Sequence, residues 1–219
     1  MLQEASPVSK PFSSDLEELF DRPCWYHGTE QHFISWIFPP PIKPGEDLAV
    51  PHTAVFFTSN FDFAKGAGSK VAVVSLKSKS NVLDATSNYS ASEKLRTAVA
   101  KNQIAARTLN VTHDYWHDGW KSGAVLRVAH TDSALDAHFN KMAIDLSKKL
   151  RIEHEQASSV VHHNITRGLI ELICSEAKRL GFDALYGHEI DKHSEKGKIL
   201  SQPWLAVFVK DVITEPEWL

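Results

Sequence analysis

The sequence predicts an α+β fold in which strands at both ends of the chain enclose a helical block. Short apolar runs rich in β-branched residues occupy residues 24–84 and return in residues 183–209. Between them, from about residue 90 to residue 180, apolar residues recur at the spacing of amphipathic helices. Neither strand group alone makes a stable sheet, so the two groups are expected to meet across the helical block.

The first strand group consists of short apolar runs that end at glycine, proline or polar turn residues. Strands are predicted at residues 24–27, 54–58, 71–76 and 82–84, with a short helix at residues 61–67 after the second strand. Residues 1–14 are polar, with two prolines and several serines, which predicts a flexible tail. Residues 15–219 are expected to form a single domain that begins with a helix at residues 16–20.

The helical block ends where strand patterns return. Ser133 is a suitable N-cap for a helix that continues to residue 150. A later helix covers residues 161–180, and Gly181 is its predicted stop. The last two predicted strands cover residues 183–186 and 204–209.

Composition narrows the functional class. The chain has 219 residues and a formal net charge of -3, so it lacks the basic excess typical of proteins that bind duplex nucleic acid. Its two cysteines, Cys24 and Cys174, do not suggest a disulfide framework and are expected to be reduced thiols. No apolar run approaches the roughly 20 residues of a membrane helix, and the N-terminus lacks the apolar core of a signal peptide. We therefore expect a cytoplasmic protein without a membrane partner.

The most informative stretch is Tyr26-His27-Gly28-Thr29, which follows Trp25 at the end of a predicted strand. The strand would fix the imidazole of His27, and Gly28 would let a ligand approach the backbone closely. A structural histidine before a turn has the same pattern, and these residues alone do not decide between the two interpretations.

A second stretch, Phe56-Phe57-Thr58-Ser59, ends the next apolar strand and leads into the short helix that contains Ala64. A strand that ends in small polar residues, with a helix behind it, can form one side of a binding site for a flat ring. Aromatic side chains there can stack on that ring. Taken alone, this pattern favours a core strand with aromatic packing.

Together the two stretches resemble the ADP-ribosyltransferase superfamily, in the branch that has a His–Tyr–Glu-type site. A third match is the closing pattern Gly181-Phe182-Asp183-Ala184-Leu185, followed by an acidic residue and a last strand at residues 204–208. The opening is also similar to the transferases that modify rifamycin antibiotics and to phage-borne anti-defence transferases. The resemblance covers roughly residues 24–76 and 181–213 and does not extend to the helical block.

The resemblance implies a split β-sheet core of the ADP-ribosyltransferase type, with the helical block inserted between its strand groups. It implies a toxin or effector that acts as a mono-ADP-ribosyltransferase. Such an enzyme cleaves the nicotinamide–ribose bond of NAD and transfers ADP-ribose to a protein, nucleic-acid or small-molecule acceptor. With water as the acceptor the enzyme would be an NAD glycohydrolase. With a degenerate site the fold would be a protein-binding module.

The same resemblance assigns roles to residues. His27 would bond a ribose hydroxyl or the adenosine side of NAD, and the Gly28 backbone would anchor the nicotinamide amide. Phe56 stands where the family has Tyr, so it would stack on the nicotinamide without donating a hydrogen bond. The implied NAD-binding residues are Tyr26, His27, Gly28, Thr29, Phe56, Phe57, Thr58, Ser59 and Ala64.

A carboxylate must stabilise the positive charge that builds up on the ribose. Glu189 is the preferred catalytic acid, because its spacing from the motif at residues 181–185 matches the phage-type transferases. Asp191 and Glu195 are open alternatives, as is the position of Gln202, where many relatives have Glu.

Histidine pairs raise the question of a metal. His113 and His117 are four residues apart, so on a helix they share one face, as paired metal ligands do. The sequence contains no HExxH motif and no Cys/His framework. Hydrogen-bonded or solvated histidines are therefore the preferred interpretation, and no metal site is predicted.

Overall fold

The apolar runs at both ends of the chain form two sheets, and the residues between them are mostly helical. The computed structural model describes residues 24–42, 50–109, 112–128, 133–190 and 201–219. The predicted tail at residues 1–14 and the predicted helix at residues 16–20 lie outside the described residues.

Seven strands and six α-helices are present in the described ranges, together with two short 3₁₀ turns at Ala124–Leu126 and Lys210–Val212. The strands are β1 (Trp25–Thr29), β2 (Val55–Phe57), β3 (Lys70–Val74), β4 (Val82–Asp84), β5 (Ala184–Ile190), β6 (Ser201–Val207) and β7 (Glu217–Trp218). The helices are α1 (Phe61–Gly66), α2 (Tyr89–Val99), α3 (Gln103–Thr108), α4 (His113–Ser122), α5 (Ser133–Leu150) and α6 (His154–Arg179). The fold is therefore α+β, as predicted.

The three-stranded sheet has the order β1-β3-β7, and both of its pairs are antiparallel. β1 pairs with β3 along its whole length, from Trp25 opposite Val74 to Thr29 opposite Lys70. The short strand β7 lies on the other side of β3, with Trp218 opposite Ala72.

The four-stranded sheet has the order β2-β6-β5-β4. β2 and β5 both run antiparallel to β6, whereas β4 runs parallel to β5. Both sheets thus combine strands from the two ends of the chain, which confirms that the strand groups meet across the helical block. The two sheets are joined where Tyr26 and Thr58 exchange backbone hydrogen bonds of 2.8 and 3.0 Å.

The two faces of the four-stranded sheet pack against different partners. Its inner face packs against the three-stranded sheet, and the core between the sheets contains Trp25, Val55, Phe57, Ala72, Val74, Tyr186, Leu205 and Val207. Its helical face packs against the helices, and that core contains Leu83, Leu95, Trp116, Trp120, Ile173, Leu185, Trp204 and Ala206. Because side chains alternate along a strand, neighbouring residues of β5 and β6 point to opposite faces.

Helix α6 is the longest element, with 26 residues. It ends at Arg179, and Gly181 follows with a φ of 90°, so the predicted glycine stop is present. Helix α5 packs along α6 and forms a separate apolar cluster with it through Leu135, Phe139 and Val161. None of the helices in the described part of the chain has both the length and the apolar character needed to cross a membrane.

The structure differs from the sequence prediction most at three strands. β6 covers Ser201–Val207 instead of the predicted residues 204–209, because it pairs with β5 from Ser201 onwards. β5 continues to Ile190, beyond the predicted end at residue 186, because it pairs with β6 along its full length. Glu189 therefore lies in a strand and not in a loop. β7 was not predicted, since two residues are too few to carry a periodic pattern.

Candidate functional site between the two sheets

Strand β1 presents two different faces. Trp25, which is fully buried, and His27 project towards the four-stranded sheet, whereas Tyr26 and Gly28 project towards α1. A Cβ atom on Gly28 would lie 1.7 Å from the carbonyl oxygen of Ala64 in α1. In this structure Gly28 therefore allows a helix, and not only a ligand, to approach the β1 backbone.

The imidazole of His27 is held by the backbone of β2. Its Nδ1–H donates a hydrogen bond of 2.8 Å to the carbonyl oxygen of Phe56. A carbonyl only accepts, so Nδ1 carries the proton in this contact. In the neutral ring Nε2 is then the nitrogen with the lone pair, which is the state needed to accept a hydrogen bond from a hydroxyl.

Three aromatic rings surround the His27 imidazole. The ring centroids of Trp36, Phe57 and Phe33 lie 5.4, 5.7 and 6.4 Å from that of His27. Trp36 is itself fixed, because its indole N–H donates to the carbonyl of Thr214 at 3.1 Å. The histidine thus sits in an aromatic setting that restrains its orientation.

Phe56 and Phe57 point to opposite sides of β2. Phe57 is buried on the inner face beside His27. Phe56 lies on the helical face and stacks on Trp204, with a centroid distance of 5.4 Å and an interplanar angle of 22°. The ring available to the His27 side is therefore Phe57 and not Phe56.

The polar residues after β2 support the junction between the sheets. Thr58 is buried, and its hydroxyl oxygen accepts a hydrogen bond from the Asn60 backbone N–H at 3.1 Å. Asn60 caps α1, accepting from the Phe63 N–H at 3.1 Å. The helix then places Ala64, which is buried, against Gly28 of β1. Ser59 is half-buried between these residues.

Two other members of the predicted set lie at the ends of the motif on β1. Thr29 is buried on the last position of β1. Burial first, and the neighbouring Cys24 second, raise the pKa of Tyr26 above its ordinary value. The Tyr26 phenol is therefore neutral near pH 7 and able to donate a hydrogen bond.

Glu189 is not brought together with His27. It faces Gln202 in the β5–β6 register, and both residues project from the helical face, opposite to the face on which His27 lies. The Glu189 carboxylate forms a 2.6 Å ion pair with Arg127. Gln202 accepts a 2.8 Å hydrogen bond from the Asn60 side chain. The alternative acids, Asp191 and Glu195, lie outside the described residues.

The sequence did not predict a chain of hydrogen-bonded polar side chains on the inner face of the four-stranded sheet. Its members are Tyr186 and His188 of β5 and Ser201 of β6, and it begins where Tyr186 packs edge-on against Trp25 at 6.0 Å. The sequence signal was the alternation of residues 186 and 188 on one strand face, which becomes visible only when β5 extends past residue 186.

The direction of the hydrogen bonds in this chain can be assigned from its last acceptor. The Ser201 hydroxyl donates to the Lys121 carbonyl at 3.2 Å, so it accepts from Nδ1–H of His188 at 3.1 Å. Nε2 of His188 then accepts the Tyr186 O–H at 3.4 Å. The three residues therefore form one ordered proton chain along the inner face.

The arrangement provides an oriented imidazole, buried aromatic rings and a polar chain, all on the side of the four-stranded sheet that faces β1. The rings are packed against one another, and Trp25, Trp36, Phe57 and Tyr186 are each at most 5% exposed. Compared with models of known protein families, with curated proteins and with solved structures, the chain has no significant match.

Proposed function

We propose that the protein is a mono-ADP-ribosyltransferase that cleaves the nicotinamide–ribose bond of NAD and transfers ADP-ribose to an acceptor. The observation that carries the proposal is the hydrogen bond from Nδ1–H of His27 to the Phe56 carbonyl. This bond fixes the tautomer and the ring plane of His27, which is how a histidine that recognises a ribose hydroxyl would be held.

Two further observations support the proposal. The motif around His27 and the motif around Phe57 are far apart in the sequence. In the fold they are adjacent, because Tyr26 and Thr58 exchange backbone hydrogen bonds at the junction of the sheets. Phe57 places a flat apolar ring next to His27, and because this ring is only 2% exposed, stacking on a nicotinamide requires it to be uncovered. NAD is thus proposed to bind in contact with both β1 and the C-terminal end of β2.

The residue that supplies the catalytic carboxylate needs a separate test. Glu189 is paired with Arg127 on the helical face, opposite to His27, so its use in catalysis requires the ion pair to break and β5 to turn this side chain towards His27. Parallel measurement of Glu189→Gln, Asp191→Asn and Glu195→Gln identifies the acid, because its loss removes charge stabilisation worth about 100-fold or more in rate.

The central test is nicotinamide release from NAD by the purified full chain and by His27→Asn. The asparagine amide can still donate to the Phe56 carbonyl, but it lacks the Nε2 acceptor. We expect release to fall about 100-fold or more, while the thermal midpoint stays near that of the wild type. His138→Asn, at an exposed position on α5, is the matched control and should keep full activity.

Two results would overturn the proposal: no nicotinamide release by the wild type, or equal release by wild type and His27→Asn. Product analysis by mass spectrometry then separates transfer from hydrolysis. An ADP-ribose adduct on protein, nucleic acid or a small molecule indicates a transferase. Free ADP-ribose as the sole product indicates an NAD glycohydrolase that uses the same pocket.

A second candidate function is favoured by the Arg127–Glu189 ion pair. If Glu189 stays bound to Arg127 and neither Asp191 nor Glu195 takes its place, the fold would be a protein-binding module without catalysis. Calorimetry distinguishes this case, because a binding module of this kind would show no heat of NAD binding.

A further inference from the structure

Helices α2 and α4 bring three potential metal ligands together away from the site between the sheets. Glu93 lies on α2, and His113 and His117 lie one turn apart on α4. Nε2 of His117 is 3.0 Å from Oε1 of Glu93, and Nε2 of His113 is 3.7 Å from the same oxygen. The two imidazole centroids are 4.5 Å apart. Both rings therefore present Nε2 to one carboxylate oxygen.

The spacing of these atoms is close to that of a metal site. One ligand atom from each of the three residues lies within 4.8 Å of the others. A tetrahedral zinc ion with bonds near 2.1 Å separates its ligand atoms by about 3.4 Å. The His113 side chain has 68% relative exposure, so it has room to rotate towards the other two ligands.

The groups around the three ligands are those that orient ligands in metal sites. Nδ1–H of His113 donates to the Asp114 carboxylate at 3.2 Å, which leaves Nε2 with its lone pair towards Glu93. Nε of Arg96 donates to both oxygens of Glu93, at 2.9 Å to Oε2 and 3.0 Å to Oε1, so the carboxylate is held in one orientation. A carboxylate anchored in this way can offer Oε1 to an ion.

The three ligands differ in burial. His117 is only 7% exposed, whereas the His113 side chain is mostly exposed and that of Glu93 is partly exposed. The cluster therefore extends from the interior of the helical block to its surface, where an ion can enter.

We propose that Glu93, His113 and His117 bind a divalent metal ion of the zinc class, with a coordination position open to water on the exposed His113 side. Two imidazoles and one carboxylate are a ligand set that zinc sites use. The ion would link α2 to α4 and so fix two helices that cover the four-stranded sheet. This site is separate from the residues of the proposed transferase pocket, and its test does not depend on NAD chemistry.

The alternative is a hydrogen-bonded cluster without an ion, in which Nε2–H of His117 simply donates to Glu93. The two cases differ in what His113 does. In the hydrogen-bonded cluster His113 is a solvated surface residue, and its removal changes little. In the metal site it is one of three ligands.

The experiment is calorimetric titration of the full chain with Zn²⁺ after treatment with a chelator. We expect saturable binding of one Zn²⁺ per chain and a rise in the thermal midpoint, because an ion that binds only the folded state stabilises it. His113→Ala and Glu93→Gln should each abolish the saturable binding and the rise. Asp114→Asn should weaken binding by roughly 10-fold.

His138→Ala, which removes an exposed histidine from α5, is the control and should bind Zn²⁺ like the wild type. His113→Ala is informative because its exposed side chain is not required for folding, as its thermal midpoint without Zn²⁺ should show. The proposal is overturned if the wild type binds no Zn²⁺, or if His113→Ala and Glu93→Gln bind it as tightly as the wild type does.

Discussion

Gly28 illustrates how one residue without a side chain sets the position of an element. Helix α1 lies so close to β1 that a methyl group at residue 28 would overlap the Ala64 carbonyl, at 1.7 Å. The neighbouring atom is backbone, so it cannot rotate away. The contact keeps α1 against the strand that carries His27, and the glycine in the motif therefore has a packing role beside any role in binding.

Gly28→Ala is expected to destabilise the fold by about 1–3 kcal/mol, because overpacking forces the backbone of α1 to move. Denaturant-induced unfolding measures the effect. Gly168→Ala is the matched control: residue 168 lies within α6 with no atom within 4 Å of the added methyl group. The control should gain about 1 kcal/mol from helix propensity. Equal stability of Gly28→Ala and wild type would contradict the close approach.

At the scale of elements, Glu171 of α6 attaches the segment before β2 to the helical block. Its carboxylate accepts a 2.9 Å hydrogen bond from the Thr53 backbone N–H and lies 3.6 Å from Nδ1 of His52. Burial acts to raise the pKa of Glu171, but His52 and Thr53 outweigh it and leave the pKa below its ordinary value. The charged form of Glu171 is thus favoured by folding.

A lowered pKa in the folded state gives a definite pH dependence. The stabilisation is fully present above the unfolded-state pKa of about 4.3 and is lost as the pH falls through the lower pKa of the folded protein. Glu171→Gln should therefore lower the free energy of unfolding by about 1 kcal/mol near pH 7. The difference from wild type should shrink below about pH 4.

Urea unfolding at a series of pH values measures this difference. Glu217→Gln, which neutralises an exposed carboxylate on β7, is the control and should follow the wild-type profile. A constant difference between Glu171→Gln and wild type from pH 3 to pH 7 would show that the charge of Glu171 plays no part.

The sequence predicted most elements because their signals are local. β4 has the predicted bounds, Val82–Asp84, and α6 ends before the predicted glycine stop. The extension of β5 was not predictable, because Gly187 and His188 carry no strand signal and are ordered by pairing with β6. The same pairing decides that Glu189 faces Arg127. Strand register, and not residue type, thus separates Glu189 from His27.

The site was predictable in part for the same reason. The proximity of the His27 and Phe57 motifs followed from a resemblance, and the structure places them side by side. Phe56 and Phe57 point to opposite faces of β2, because side chains alternate along a strand. The sequence does not show which of these faces lies towards His27. The polar chain from Tyr186 to Ser201 depends on two strands and could not be read from either alone.

At the scale of the whole molecule, each sheet is built from both ends of the chain. β3 lies between β1 and β7, and β6 lies between β2 and β5. Contacts between residues so far apart in sequence carry a large loop-closure cost before they stabilise the fold. A cut in the helical block therefore leaves both sheets incomplete in each fragment.

Separate fragments of residues 1–110 and 111–219 are expected not to fold. Neither should show a cooperative thermal transition by circular dichroism, and amides of β3 should exchange with solvent at unprotected rates, because without β5, β6 and β7 the core between the sheets does not form. The intact chain is the reference and should protect those amides. A cooperative transition of the first fragment alone would contradict the interdependence of the two strand groups.

The late position of β6 and β7 also governs how the chain behaves while it is being made. A ribosome adds roughly 5–20 residues per second, so β2 and β4 emerge several seconds before their partners exist. Throughout that interval β2 lacks β6 and β4 lacks β5, and each exposes an unpaired backbone edge. The nascent chain therefore needs protection from other chains until its final strands have left the exit tunnel.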